Sequence, residues 1–248
     1  MIKFRDGFYA DVRTEDRSHT TISYKAGILE EMRTRVECRA FLRVYDGRMW
    51  YYASVTDLEN LQKTLDGLYD AATPNAQILD DQVVRLFERN KDTLMCFADC
   101  SVRDIPAKEK QNLLLSYLPL LSEDSCVSMP QGTYLDRNSL FHFQSSLGAD
   151  ITYDYQTCGL SFYCDMTEGE KKFSGHWQKG CTHFDELKGL DDEIRSAMTE
   201  QTAFMRNSVP VVSGRYPVVL SPEAAGVFAH ESFGHKSESD FMLSDETM

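Results

Sequence analysis

From Cys126 to Gln178 apolar and polar side chains alternate for more than fifty residues, interrupted only by short glycine-bearing joints such as Ser146-Leu147-Gly148 and Glu168-Gly169-Glu170. A period of two is the pattern of strands with one face buried and one open, and joints this short can connect only antiparallel neighbours. The pattern predicts a meander of strands over 126–131, 133–145, 150–157, 159–167 and 172–178. The first third of the chain predicts another, with strands over 20–25, 36–45 and 49–55 and a hairpin turn at Asp46-Gly47. Helical spacing takes over where Leu58, Leu61, Leu65, Leu68 and Ala72 recur after Asp57, a residue suited to cap a helix, and runs to Pro74.

The intervening pieces read as a short helix over 82–89, a buried strand over 93–102 and a helix opened by Asp104-Ile105-Pro106. A longer helix is expected from Phe184 to Asn207, weakened at its start by Gly189 and broken by Ser208-Val209-Pro210. Strands and helices in this order, without steady βαβ alternation, give an α+β fold of antiparallel sheets packed with helices. The break near residue 208 divides the chain into an N-terminal α+β domain, 1–207, and a second piece, 208–248, that opens with a strand over 216–220 and a helix.

Charge narrows the functions available. With 26 basic against 39 acidic residues the net charge is -13, which repels phosphate backbones, and no Lys/Arg run offsets it, so nucleic acid is not an expected partner. No apolar run reaches the roughly 18 residues of a membrane span, and the charged start lacks a signal peptide, so a cytoplasmic location away from membranes is expected. Seven cysteines, odd in number and scattered, do not form a disulfide framework. The Cys96/Cys100 and Cys158/Cys164 spacings lack the second pair of a structural zinc site, and buried thiols are the expectation.

The segment that carries chemistry runs from Ser221 to His235. Ser221-Pro222-Glu223 is a helix start, which places His230 and Glu231 on the helix, with His235 following. A His-Glu pair followed by a second His is how zinc hydrolases hold a metal and set a carboxylate beside the reacting water. Here three residues, not two, separate Glu231 from His235. On an α-helix, residues five apart diverge by roughly 140°, against roughly 40° for four apart, so the helix must be distorted for both imidazoles to share one ion. Two devices would serve: a π-type turn, or a helix that ends at Gly234 and swings His235 round.

The stretch Ser213-Gly214-Arg215-Tyr216-Pro217 through Ala229-His230-Glu231-Ser232-Phe233-Gly234-His235, with Glu238 and Asp240 after it, resembles the TldD/PmbA family of metallopeptidases. Weaker likeness at 17–22, 41–44 and Ala53-Ser54 extends it over most of the chain. The resemblance implies a zinc-dependent peptidase acting on extended or unfolded peptides, working as a homodimer or as a heterodimer with a related subunit. Carried over residue by residue, His230 and His235 are metal ligands and Glu231 is the general base. Glu238 and Asp240 match acidic positions that could orient a ligand imidazole. The family's third protein ligand is a cysteine far downstream that nothing here matches. With 13 residues after His235, 208–248 is read as the incomplete start of a catalytic domain. Two other readings stay open: a non-enzymatic peptide-binding or subunit-assembly module, and a metal site completed by Cys181 or His183.

Overall fold

The computed structural model describes residues 2–240. The chain divides into two units, Met1–Ser208 and Val209–Met248. The first is the α+β fold. One mixed sheet of seven strands is built from β1 (Tyr9–Lys25), β2 (Ile28–Tyr45), β3 (Trp50–Val55), β4 (Lys91–Leu94), β5 (Val127–Ser145), β6 (Asp150–Glu168) and β7 (Lys171–Cys181). Its order is β3-β2-β1-β5-β6-β4, with β7 also on β6, and every pairing is antiparallel except β4 with β6. β1 lies between β2 and β5, so the two expected meanders are one sheet.

The four main strands are 17 to 19 residues long, roughly twice the usual upper range. Two expected breaks are absorbed. The segments over 126–131 and 133–145 form one strand, paired regularly through Gly132 and irregular only between Ser128 and Gln131, and those over 150–157 and 159–167 run on through Cys158, with Gly159 facing Gly180 of β7. β1 begins 11 residues before Thr20. Its early residues include Asp11, Arg13, Glu15 and Arg17, whose charges sit on the face opposite the main helices, three of them ion-paired: Arg43 to Asp11, Arg39 and Arg137 to Glu15, Glu37 to Arg17.

Alternation along β1 puts Ala10, Val12, Ile22 and Tyr24 on one face, but they serve two separate cores. At one end Ala10, Val12, Ala40, Leu42 and Val44 pack under α1 (Leu61–Ala71) through Leu65 and Tyr69. At the other, Ile22, Tyr134, Leu160, Phe162 and Met166 pack under α2 (Ala107–Tyr117) and α3 (Asp191–Asn207). Ten residues of extended chain, about 34 Å, separate Val12 from Ile22. Between the cores the buried positions are polar: Ser18, Thr20, Asp136 and Asn138. A third cluster of Tyr9, Tyr45, Ile78 and Val84 covers the start of β1 from the opposite side.

Four local expectations are corrected. The stretch 82–89 forms only a short 3-10 turn at Val84–Leu86. The buried strand over 93–102 is instead the exposed β4, and Cys96 and Cys100 are exposed beyond it, since its single parallel neighbour reaches only four residues. The helix over 184–207 splits at Gly189, whose φ of 71° ends a 3-10 turn before α3 begins at Asp191. In the second unit, 216–220 forms no strand and pairs with none among the described residues, and a lone segment has no ladder to hold it as one.

Candidate metal centre

The second unit starts its helix as the sequence demands. In α4 (Pro222–Ala229) the Ser221 hydroxyl accepts the Ala224 N–H at 3.3 Å, proline takes the first helical position, and Glu223 sits in the positive first turn. The helix then widens instead of stopping. Over His230–Gly234 the backbone makes a π-turn in which the His235 N–H donates to the His230 carbonyl, five residues back. Gly234 does not act as the break. Its φ and ψ of -55° and -54° are helical, and a Cβ built there meets no atom nearer than His230 Nδ1 at 3.6 Å.

The π-turn brings back to one side what a regular helix would separate. The His230 and His235 rings meet edge to face with centroids 4.4 Å apart. Glu231 joins them, its Oε2 lying 3.9 Å from His235 Nε2, and one donor atom from each of the three lies within 4.8 Å of the other two. Zinc takes imidazole nitrogen at about 2.0–2.1 Å, so donors sharing an ion stand no more than about 4 Å apart. The cluster is within a side-chain rotation of that separation, and its donor set suits zinc.

Glu238 sets the orientation of one ring. His235 Nδ1 donates to Glu238 Oε1 at 2.5 Å, which leaves Nε2, on the Glu231 side, with its lone pair available. The same hydrogen bond is the main cause that raises the His235 pKa above its ordinary value, with the Glu238 and Glu231 charges adding to it. Asp240 is exposed and lies five residues beyond His235. The upstream donors considered for a third ligand have other partners in the first unit. Cys181 Sγ is 3.5 Å from Cys158 Sγ, and His183 bonds Thr182 Oγ1 through Nδ1 and Glu186 through its backbone N–H. The Cys158–Cys181 contact had no sequence signal, because cross-strand register is not written in spacing.

Known proteins resemble the chain in both sequence and fold. Residues 10–72 match the family model described as PmbA/TldA metallopeptidase domain 1. A metalloprotease of Methanocaldococcus jannaschii is 23% identical over 247 residues, covering 98% of this chain and 54% of that protein. A zinc metalloprotease TldD homolog of Saccharolobus solfataricus is 49% identical over 39 residues, 16% of this chain and 9% of that protein. These findings support the TldD/PmbA family, whose first-domain model matches residues 10–72 of this chain. The fold agrees: a candidate modulator of DNA gyrase from Bacteroides thetaiotaomicron superposes with a TM-score of 0.70 at 17% identity, over 92% of this chain and 53% of the other. The chain spans about half the length of the curated relatives it matches over most of its length.

Proposed function

We propose that this TldD/PmbA chain carries the metal-binding helix of a zinc-dependent peptidase that hydrolyses amide bonds in extended peptides. The observation that carries the reading is the π-turn at His230–Gly234, which turns two histidines five residues apart toward each other with a glutamate beside them. A turn of this kind interrupts the regular helical ladder, and such turns concentrate at functional sites.

His230 and His235 hold the ion, and a third protein donor comes from outside this helix, as catalytic zinc sites commonly have three. When bound, zinc supplies Lewis acidity, polarising an amide carbonyl and making water easy to deprotonate near neutral pH. Glu231 takes that proton on a carboxylate oxygen and returns it to the departing amine, so that one carboxylate serves as base and then as acid. Glu238 keeps the His235 proton on Nδ1, fixing which nitrogen faces the ion. The proposal includes assembly as a dimer, of identical or related subunits, in the cytoplasm.

The test uses the complete protein with zinc content and peptide turnover measured together. Glu231→Gln should keep the metal and lose turnover by about 10²–10⁴-fold, the usual worth of a general base. His230→Ala/His235→Ala should lose both. Cleavage that survives Glu231→Gln would overturn the reading, and peptide affinity that persists in the double variant with no turnover in any form would favour a binding module.

A further inference from the structure

β7 ends at Cys181, and the residue opposite it on β6 is Cys158. Directly opposed antiparallel residues have Cα atoms about 4.5–5.5 Å apart, inside the 4.4–6.8 Å span that a disulfide bridges. The thiols already face each other, with Sγ atoms 3.5 Å apart. Closing to a bond of about 2.05 Å needs a shift of about 1.5 Å shared between two side chains.

Their surroundings differ in a way that orders the chemistry. Cys158 is 4% exposed and lies in the large core with Leu160 and Phe162, whereas Cys181 is partly open and hydrogen-bonded toward the His183 carbonyl at 3.3 Å. Burial is the largest cause pushing the Cys158 thiol well above its ordinary range, followed by its contact with Cys181, and the Asp136 and Glu186 charges add to it. Cys158 is therefore a protonated, protected partner. Cys181 is the sulfur an incoming reagent can meet.

We infer that Cys158 and Cys181 form a reversible redox-modification site, an open thiol and a buried resolving thiol, whose reactant is a hydroperoxide. In the first step the Cys181 thiolate attacks the terminal peroxide oxygen. The O–O bond breaks, the rest of the peroxide leaves as alcohol or water after taking a proton, and Cys181 becomes a sulfenic acid. In the second, the Cys158 sulfur attacks the Cys181 sulfur. The S–S bond forms, the S–O bond breaks, and water leaves with the Cys158 proton. Two electrons pass from the thiols to one peroxide, and an external dithiol reverses the change by exchange. The bond staples the end of β7 to the middle of β6, beneath the strand pair that carries Trp177.

The experiment treats the native chain with hydrogen peroxide, blocks residual thiols with an alkylating reagent, and maps peptides by mass spectrometry. The expected product is one species lighter by two hydrogen atoms, with the Cys158 and Cys181 peptides linked and restored by dithiothreitol. Cys158→Ser should leave Cys181 as sulfenic acid, trapped by a dimedone-type probe, and the wild-type map stands without that variant should it fail to fold. The inference is overturned if Cys96 and Cys100, both exposed, oxidise while 158 and 181 stay unlinked. It is equally overturned if Cys181 links to a cysteine other than Cys158.

Discussion

The polar zone between the two cores makes the sharpest stability prediction. Lys110 on α2 reaches Asp136 on β5 at 2.5 Å, with the two side chains only 3% and 2% exposed. Asp136 also accepts the Thr20 N–H at 3.0 Å and the Tyr134 hydroxyl at 2.8 Å, and Lys110 donates to Thr20 Oγ1 at 3.3 Å. Lys110→Met preserves length and apolar stem but leaves Asp136 a buried charge with two neutral donors. Removing one partner of a buried pair typically costs about 3–5 kcal/mol. The two remaining hydrogen bonds place the expectation toward the lower end, near 3 kcal/mol, which for a unit of this size is a fall in Tm of about 6–12 °C. Asp136→Asn should cost a similar amount by stranding Lys110. The double variant removes both charges and should cost much less than the sum, with a coupling of at least 2 kcal/mol. Both tryptophans, Trp50 and Trp177, lie in the first unit, so urea unfolding followed by intrinsic fluorescence reads this unit directly. A loss under 1 kcal/mol for Lys110→Met, or additive costs in the double variant, would refute the view that this zone is held by a desolvated ion pair.

Three further outcomes are expected. Gly159→Ala should destabilise by about 1–3 kcal/mol, because a Cβ there falls 2.8 Å from the Lys179 carbonyl oxygen. Gly180→Ala on the facing strand meets nothing within 4 Å and should stay within about 0.5 kcal/mol in the same denaturation assay. The Asp124 carboxyl is lowered to about 2, first by the Cys126 backbone N–H and then by Arg206. Its contribution is therefore complete above the ordinary value of about 3.9 and is lost as pH falls through about 2. Arg206→Leu should move the Asp124 titration, followed by carboxyl NMR, upward but not to the ordinary value, and an unmoved titration would count against the pair. Gly234→Ala should leave zinc binding by the complete protein within about threefold and raise the helicity of 222–235, since alanine favours helix over glycine by roughly 0.5–1 kcal/mol.

Strand existence was legible in the sequence because alternation reports one buried face, but strand length was not. Met129 sits at a φ of 51° beside the irregularity in β5, and Gly159 lies at close backbone approach to β7. The expected breaks lie instead at Gly132 and Cys158, and neighbours on either side carry each strand through them. The start of β1 was hidden for the opposite reason. Asp11, Glu15 and Arg17 look like solvated loop residues until Arg43, Arg39 and Glu37 arrive from β2, and that pairing is set by a register which a single strand does not encode. The exposed β4 differs from the expected buried strand because it lies at the edge of the sheet, a position that the apolar residues over 93–102 do not encode.

The metal helix is the reverse case, in which the spacing of the histidines by itself requires a distortion. Of the two devices that bring histidines five apart together, a widened turn or a helix ending at Gly234, the chain uses the first, marked by the His235-to-His230 hydrogen bond. What spacing could not say is how the widened turn is supported once the ladder is disturbed. The Ser232 hydroxyl donates to the Phe228 carbonyl at 2.6 Å, and the Ser237 hydroxyl to the Phe233 carbonyl at 2.9 Å. Each is a bond to the carbonyl four residues back, of the kind that bends helices and satisfies backbone oxygens. These two serines lie on either side of His235, and Ser232 lies within the motif itself. The three residues between Glu231 and His235 are thus not passive spacers: Ser232 braces the turn from inside, and Gly234 follows the helical path that lets His235 return to His230.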